Sequence, residues 1–167
     1  GANGIWNFAT DRITEDITLN AVWDSSVLTI TPAQDGTGYT VDSNDSTNVV
    51  YGGSYTFTVS IAEHYNAKNM KVYSNGVLLS GTENGRVYTF VVSDIASDQV
   101  ITVTGVELDK HTVTYIVDGQ VYTTAQADYN SYLTEPVSPK NNGKTFKGWN
   151  GANGIWNFAT DRITEDI

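Results

Sequence analysis

The sequence predicts a mainly β protein, and three features predict it. Polar and apolar residues alternate with a period of two through Ser26–Pro32, Ser54–Ile61, Met70–Leu79, Arg86–Ser93 and Gln99–Leu108. Such alternation sends polar and apolar side chains to opposite faces of a strand. Thr, Val, Tyr and Ile dominate these stretches, and β-branched and aromatic side chains pack well on a pleated surface. Turn dipeptides punctuate them at Asn75-Gly76, Asn84-Gly85 and Asp118-Gly119. A two-residue hairpin turn needs positive φ, which Asn, Asp and Gly tolerate.

In chain order, Ile17–Trp23 (ITLNAVW) alternates cleanly and reads as a strand. Asp24 to about Asp109 reads as about six or seven short antiparallel strands, at the spacing of an Ig-like sandwich. Breaks fall at Asp35–Tyr39 and Tyr51–Gly53. Ile61–Met70 reads as a loop or a short helical turn. From Lys110 a second unit begins, with Asp118-Gly119 turning a hairpin inside His111–Leu133. Thr134–Trp149 opens as a loop, broken by Pro136, Pro139 and Asn141-Asn142-Gly143, and closes on a short strand at Thr145–Trp149.

The most specific feature is a recurrence. Gly1–Ile17, GANGIWNFATDRITEDI, returns without a change as Gly151–Ile167. A perfect match of that length implies a tandem array with a 150-residue period, cut slightly longer than one period. The chain then reads as a segment of something longer. Its organisation becomes 1–23, the last part of a preceding module; 24–109, the sandwich-like domain; and 110–167, a module lacking its last strand. Rejoined in array order, Lys110–Asn150 runs directly into Gly1–Trp23.

That rejoined module resembles the Listeria–Bacteroides repeat, also called the internalin B-repeat. HTVTYIVDGQVY resembles the opening hairpin of the family, and YNSYLTEPVSP its strand and proline loop. GKTFKGW is similar to its Gly-Tyr-Thr-Phe-x-Gly-Trp element, with Lys144 where an aromatic usually sits. IWNFATDRITEDITLNAVW is similar to its closing stretch, and NGANG departs from it as a short insert. The resemblance implies a β-grasp-like module with a short helix or turn, carried in tandem by extracellular bacterial proteins. The middle domain resembles the sandwich-like repeats that accompany such modules on bacterial surfaces.

Composition narrows the function. Nineteen acidic residues against nine basic ones give a net charge of −10, which opposes binding to nucleic acid phosphates. There is no cysteine, so disulfides, thiolate metal sites and cysteine nucleophiles are excluded. No apolar run approaches the roughly 18 residues of a membrane-spanning helix, so no membrane insertion is expected.

Side chains that suggest chemistry also have simpler readings. Trp149, Trp156 and its copy Trp6, Phe158 and its copy Phe8, and Trp23 fall at core positions of the family. A small module needs such large side chains to build a core. Tyr39, Tyr51 and Tyr65 read as loop residues of the middle domain and are the candidates for a contact surface. Asp42–Ser46 offers oxygen ligands for calcium, although loop chemistry alone favours the same residues. His64 and His111 lack metal-ligand spacing and read as surface or cap residues. Asp11, Glu15 and Asp16 sit in capping and turn chemistry. No catalytic, cofactor or metal constellation results, so no enzyme is expected.

The expectation is a non-catalytic stalk or adhesin spacer at the bacterial cell surface. The alternatives are a module binding a host glycan or protein receptor, or an accessory domain of a secreted glycan-degrading enzyme. The partition of the array adds a partner: neighbouring repeats, head to tail. Thr18, Leu19, Asn20, Ala21, Val22 and Trp23 of one chain would serve the 110–167 module of the next.

Overall fold

The computed structural model describes residues 4–167. In order, the strands are β1 (Val27–Thr31), β2 (Tyr39–Asp42), β3 (Asn48–Val50), β4 (Tyr55–Ile61), β5 (Tyr65–Asn66), β6 (Lys71–Ser74), β7 (Val77–Leu78), β8 (Thr82–Asn84), β9 (Val87–Val92), β10 (Gln99–Thr104) and β11 (Glu107–Leu108). Then follow β12 (Lys110–Val117), β13 (Gln120–Asp128), β14 (Asn150–Gly151) and β15 (Gly154–Ile155). No helix occurs among the described residues.

The first eleven strands build a sandwich. One sheet runs β3-β1-β10-β6-β7 and the other β2-β4-β9-β8, with β11 and β5 paired beside them. Their alternation is what buries the core: β4 places Tyr55, Phe57, Val59 and Ile61 inward, with the intervening residues only partly covered. Phe57 stacks between Tyr55 and Phe90, at ring separations of 5.8 and 5.4 Å. Ile30, Val72 and Ile101 of the opposite sheet close the same cluster. Rings and branched aliphatic side chains bury large apolar areas, the main favourable term in such a core.

Hairpin turns form where the dipeptides place them. Ser74 pairs with Val77 across Asn75-Gly76, whose φ values are 47° and 79°. Val117 pairs with Gln120 across Asp118-Gly119, at 49° and 79°. The third differs in register: Asn84 pairs with Val87, so Gly85-Arg86 makes the turn, and Asn84 is the last strand residue.

Other expectations are corrected. β1 and β10 pair in parallel, Ile30 with Gln99 and Thr31 with Val100, so the sandwich is not wholly antiparallel. Ile61–Met70 contains β5, not a helical turn. Thr145–Trp149 is not a strand; it turns Phe146 and Trp149 towards each other at 5.2 Å, edge to face. Ile17–Trp23 also forms no strand. Alternation only makes a strand possible, and without a partner edge its backbone groups stay in solvent.

Beyond β11 a second apolar cluster gathers Val113, Tyr115, Ala127, Leu133, Trp149 and Ile163. It shows what the repeated segment does in place. In both copies the same local turn forms: Asn7 N–H donates to Asp11 Oδ2 at 3.0 Å, and Asn157 N–H to Asp161 Oδ2 at 2.8 Å. Asp11 N–H meets Asn7 O, and Asp161 N–H meets Asn157 O, both at 2.8 Å. Burial is opposite. Ile163 is 1% exposed while its copy Ile13 is 72% exposed, and Phe158 packs on the cluster while Phe8 is exposed. Trp23 is 86% exposed, so in this chain Phe8 and Trp23 are not the core residues their family positions imply. Local hydrogen bonds travel with the sequence; burial depends on what surrounds it.

The contrast sets an expectation for one substitution made twice. Ile163→Ala leaves a cavity and lowers stability by about 2–5 kcal/mol, while Ile13→Ala stays within about 0.5 kcal/mol. Urea unfolding of the two variants, followed by far-ultraviolet circular dichroism, measures both.

Candidate functional site

A concave feature lies beside the edge of β12 that faces away from β13. A groove of about 850 Å³ is lined by Val113–Asp118, by Lys144–Ala152 and by Trp156 and Ile167, among others. Its wall is aromatic: Trp149 meets Tyr115 edge to face at 4.8 Å and Tyr122 at 5.8 Å. Tyr115 Oη, Trp149 Nε1 and Trp156 Nε1 are buried with no hydrogen-bond partner among the described residues. Buried polar atoms are normally paired, because leaving one unmet costs about 1–3 kcal/mol. Burial also raises the Tyr115 phenol above its ordinary pKa, with the Glu135 charge adding to the effect.

The repeated segment closes one end of this groove. Ile163 N–H donates to Ser131 O at 3.1 Å, and Ile163 O accepts from Asn130 N–H at 2.6 Å. Four residues on, Ile167 N–H donates to Thr112 O at 3.1 Å, and Thr114 N–H donates to Ile167 O at 2.7 Å. Two bonds straddling one residue define a parallel ladder, here Ile167 beside Val113. Asp166 fixes the approach: its carboxylate accepts from Thr112 N–H at 2.8 Å and lies 3.2 Å from His111 Nδ1. The Thr112 amide, then the His111 ring, hold the Asp166 pKa below its ordinary value. Arg162 secures the other side, donating to Asn130 O and Tyr132 Oη, both at 2.7 Å, and lying over the Tyr132 ring.

The residues singled out from sequence fall elsewhere. Thr18–Trp23 is exposed throughout and unpaired with any strand. Tyr39 and Tyr65 are strand residues rather than loop residues, in β2 and β5, and both pack partly buried against the sandwich core. A Cβ on Gly38 would lie 2.2 Å from the Tyr65 ring, and Gly38 has φ +82°, so that ring needs glycine beneath it. Tyr51 is on a turn after β3, 61% exposed. The three do not form one aromatic face. In Asp42–Ser46, the Asp45 carboxylate accepts from Thr56 N–H at 2.7 Å, and Ser43 Oγ donates to Thr56 O.

Two features had no sequence signal. His64, in left-handed backbone at φ 63°, stacks flat on Tyr129 at 3.6 Å, and His111 lies 6.2 Å from the same ring. Asp109 N–H donates to His64 O, and Tyr129 N–H to Asp109 O. The two histidines of the chain thus meet at the join between the sandwich and the hairpin. Arg86 donates from Nε to Ile61 O at 3.0 Å and from Nη2 to the carbonyls of Ala62 and Tyr65. It clamps the β4–β5 connection.

Comparison with known proteins adds what geometry alone does not. Residues 111–167 match the Listeria-Bacteroides repeat domain. That stretch is one such repeat. The match begins one residue into β12 and takes in the whole groove-bearing unit, so the groove belongs to the repeat. The chain is 28% identical over 166 residues to a protein of Evansella cellulosilytica bearing a membrane-protein name, covering 97% of this chain and 23% of the relative. A second Evansella cellulosilytica relative, bearing a Gly-rich membrane-protein name, is 28% identical over 164 residues, 92% of this chain and 17% of the relative. Internalin H of Listeria monocytogenes is 30% identical over 82 residues, 47% of this chain and 15% of that relative. The chain therefore spans less than a quarter of the length of these curated relatives. No described helix is long and apolar enough to cross a membrane.

The Asp166 contacts give a pH dependence with a definite sign. The carboxyl pKa is lowered from 3.8 in the folded protein, so its stabilisation is present above that value. It is lost as pH falls through the lower folded pKa. Amide exchange at Thr112, measured between pH 5 and pH 2 after correction for intrinsic rates, is expected to quicken more steeply in the parent than in Asp166→Asn. Equal slopes would contradict the assignment.

Proposed function

We propose that this chain is a repeat segment of an extracellular bacterial surface protein, serving without catalysis as a stalk or adhesin spacer. The observation that carries the reading is the Listeria-Bacteroides repeat at 111–167, joined to a seventeen-residue segment that recurs at a 150-residue offset. Recurrence at fixed period is the mark of an array, in which each unit touches mainly its neighbours. The similarity to internalin H and to proteins with membrane-protein names supports placing that array at the cell boundary.

The junction supports a spacer in particular. β11 pairs with β5, and Asp109, His64 and Tyr129 are tied by backbone bonds and ring stacking immediately after it. Such a joint holds two units at a set separation, unlike a flexible Gly/Ser linker. The net charge of −10 keeps a long projecting array soluble and discourages collapse onto itself.

Antibody raised against residues 24–109 tests the reading on the bacterium that makes the full protein. Labelling of intact, unpermeabilised cells is expected, and labelling only after permeabilisation would contradict it. Specific capture of a glycan by the purified chain, lost in Tyr51→Ala, would favour the binding-module alternative instead.

A further inference from the structure

We propose that Asn142, followed by Gly143, is a self-modifying site of the repeat, where the folded chain converts asparagine to aspartate or isoaspartate without an enzyme. The inference goes beyond the surface-segment reading and does not depend on it.

The chemistry is intramolecular. The Gly143 nitrogen gives up its proton to solvent base and attacks Asn142 Cγ. A C–N bond forms, the side-chain amide nitrogen takes a proton and leaves as ammonia, and a cyclic succinimide remains. Water then opens the ring. Breaking the bond between Cγ and the ring nitrogen leaves aspartate. Breaking the bond between the backbone carbonyl carbon and that nitrogen leaves isoaspartate, whose main chain runs through Cγ. One water is consumed and one ammonia released, and nothing is oxidised or reduced. Glycine suits the attacking position because it has no Cβ to hinder the approach of its nitrogen.

Asn-Gly recurs along the chain, so the fold selects among the copies. Within the described residues it occurs at Asn75-Gly76, Asn84-Gly85, Asn142-Gly143, Asn150-Gly151 and Asn153-Gly154. The Asn75 side chain is held at both ends: Nδ2 donates to Asp98 O at 2.7 Å, and Oδ1 accepts from Val100 N–H at 2.9 Å. Ring closure there requires both bonds to break and the left-handed backbone at Asn75, φ 47°, to be undone. Asn84 is the last residue of β8 and pairs with Val87. Gly151 pairs with Gly154 and Asn150 with Ile155 in β14 and β15, so the glycines of the last two pairs sit in one ladder. A succinimide fixes the asparagine backbone and removes the glycine N–H, so residues held in a ladder must first leave it.

Asn142-Gly143 has none of these restraints. Both residues are exposed and lie outside every described strand. One backbone bond closes their turn, Lys144 N–H to Asn141 O at 3.1 Å, and neither reacting group takes part in it. The Asn142 side chain and the Gly143 N–H have no hydrogen-bond partner among the described residues. A Cβ placed on Gly143, φ 77°, would meet nothing within 4 Å, so open space surrounds the attacking residue.

Charge acts in the same direction. Residues 136–160 contain Lys140, Lys144 and Lys147, all exposed, and no acidic residue, in a chain of net charge −10. Nearby cations favour anionic groups, here the deprotonated Gly143 nitrogen and the oxyanion formed by its attack. Conversion sets a carboxylate between Lys140 and Lys144 in place of a neutral amide.

The test uses the whole chain, incubated folded at mildly alkaline pH in heavy-oxygen water, with mass-spectrometric fragmentation following each Asn-Gly pair. Residue 142 is expected to gain one heavy oxygen, as both aspartate and isoaspartate. It should do so at least about tenfold faster than Asn75, whose two side-chain bonds must break first, and ahead of the other three pairs. In urea strong enough to unfold the chain, this lead is expected to collapse, because every pair is then unprotected. Another pair keeping pace with Asn142 in the folded chain would overturn the proposal. So would an undiminished lead in urea, or a folded chain unchanged at Asn142 by the time the unfolded chain has reacted. None of those outcomes touches the surface reading, which the cell-labelling experiment decides by itself.

Discussion

Two hydrogen bonds, Ile167 N–H to Thr112 O and Thr114 N–H to Ile167 O, set the character of the repeat unit. They bring the seventeen-residue segment alongside β12 in parallel and close one end of an aromatic groove. A strand edge presents donors and acceptors that require partners. Ile167 meets the first pair of those on β12, and the rest of the edge faces the groove. The aromatic wall of that groove carries three buried polar atoms without partners among the described residues, while Leu19, Val22 and Trp23 stand exposed elsewhere in the chain.

The identical segments separate two contributions that are usually entangled. Asn-x-x-x-Asp turn bonds form at Asn7–Asp11 and at Asn157–Asp161 with nearly the same lengths. These bonds span four residues and need nothing beyond the segment. The side chains of Ile13 and Phe8 stay in solvent, whereas Ile163 is wrapped by Val113, Ala127 and Leu133. Local structure came from the sequence in both places, and stability only from tertiary packing in one.

The same division explains what was legible beforehand. Period-two alternation located β4, β9 and β10, and Asn75-Gly76 and Asp118-Gly119 located two hairpins, because these signals act over a few residues. The β1–β10 pairing joins residues far apart in sequence, and nothing in either strand announces a parallel partner. The Arg86 clamp and the His64–Tyr129 stack are likewise long-range. Ile17–Trp23 misled in an instructive way: its alternation is that of a strand, but pairing is a property of two edges, and no described strand lies beside it.

As a whole the molecule is a β-sandwich fixed to a Listeria-Bacteroides repeat, with the entry and exit poles set apart by the parallel β1–β10 pair. The Ile167–β12 bonds tie the end of the repeated segment into the second of these units. The most direct test is hydrogen exchange at the Thr114 amide, which donates to Ile167 O at 2.7 Å. This amide should exchange far more slowly than that of exposed Gly119, and deletion of Ile167 should bring it towards the Gly119 rate. A Thr114 amide that exchanges at one rate with and without Ile167 would contradict the account.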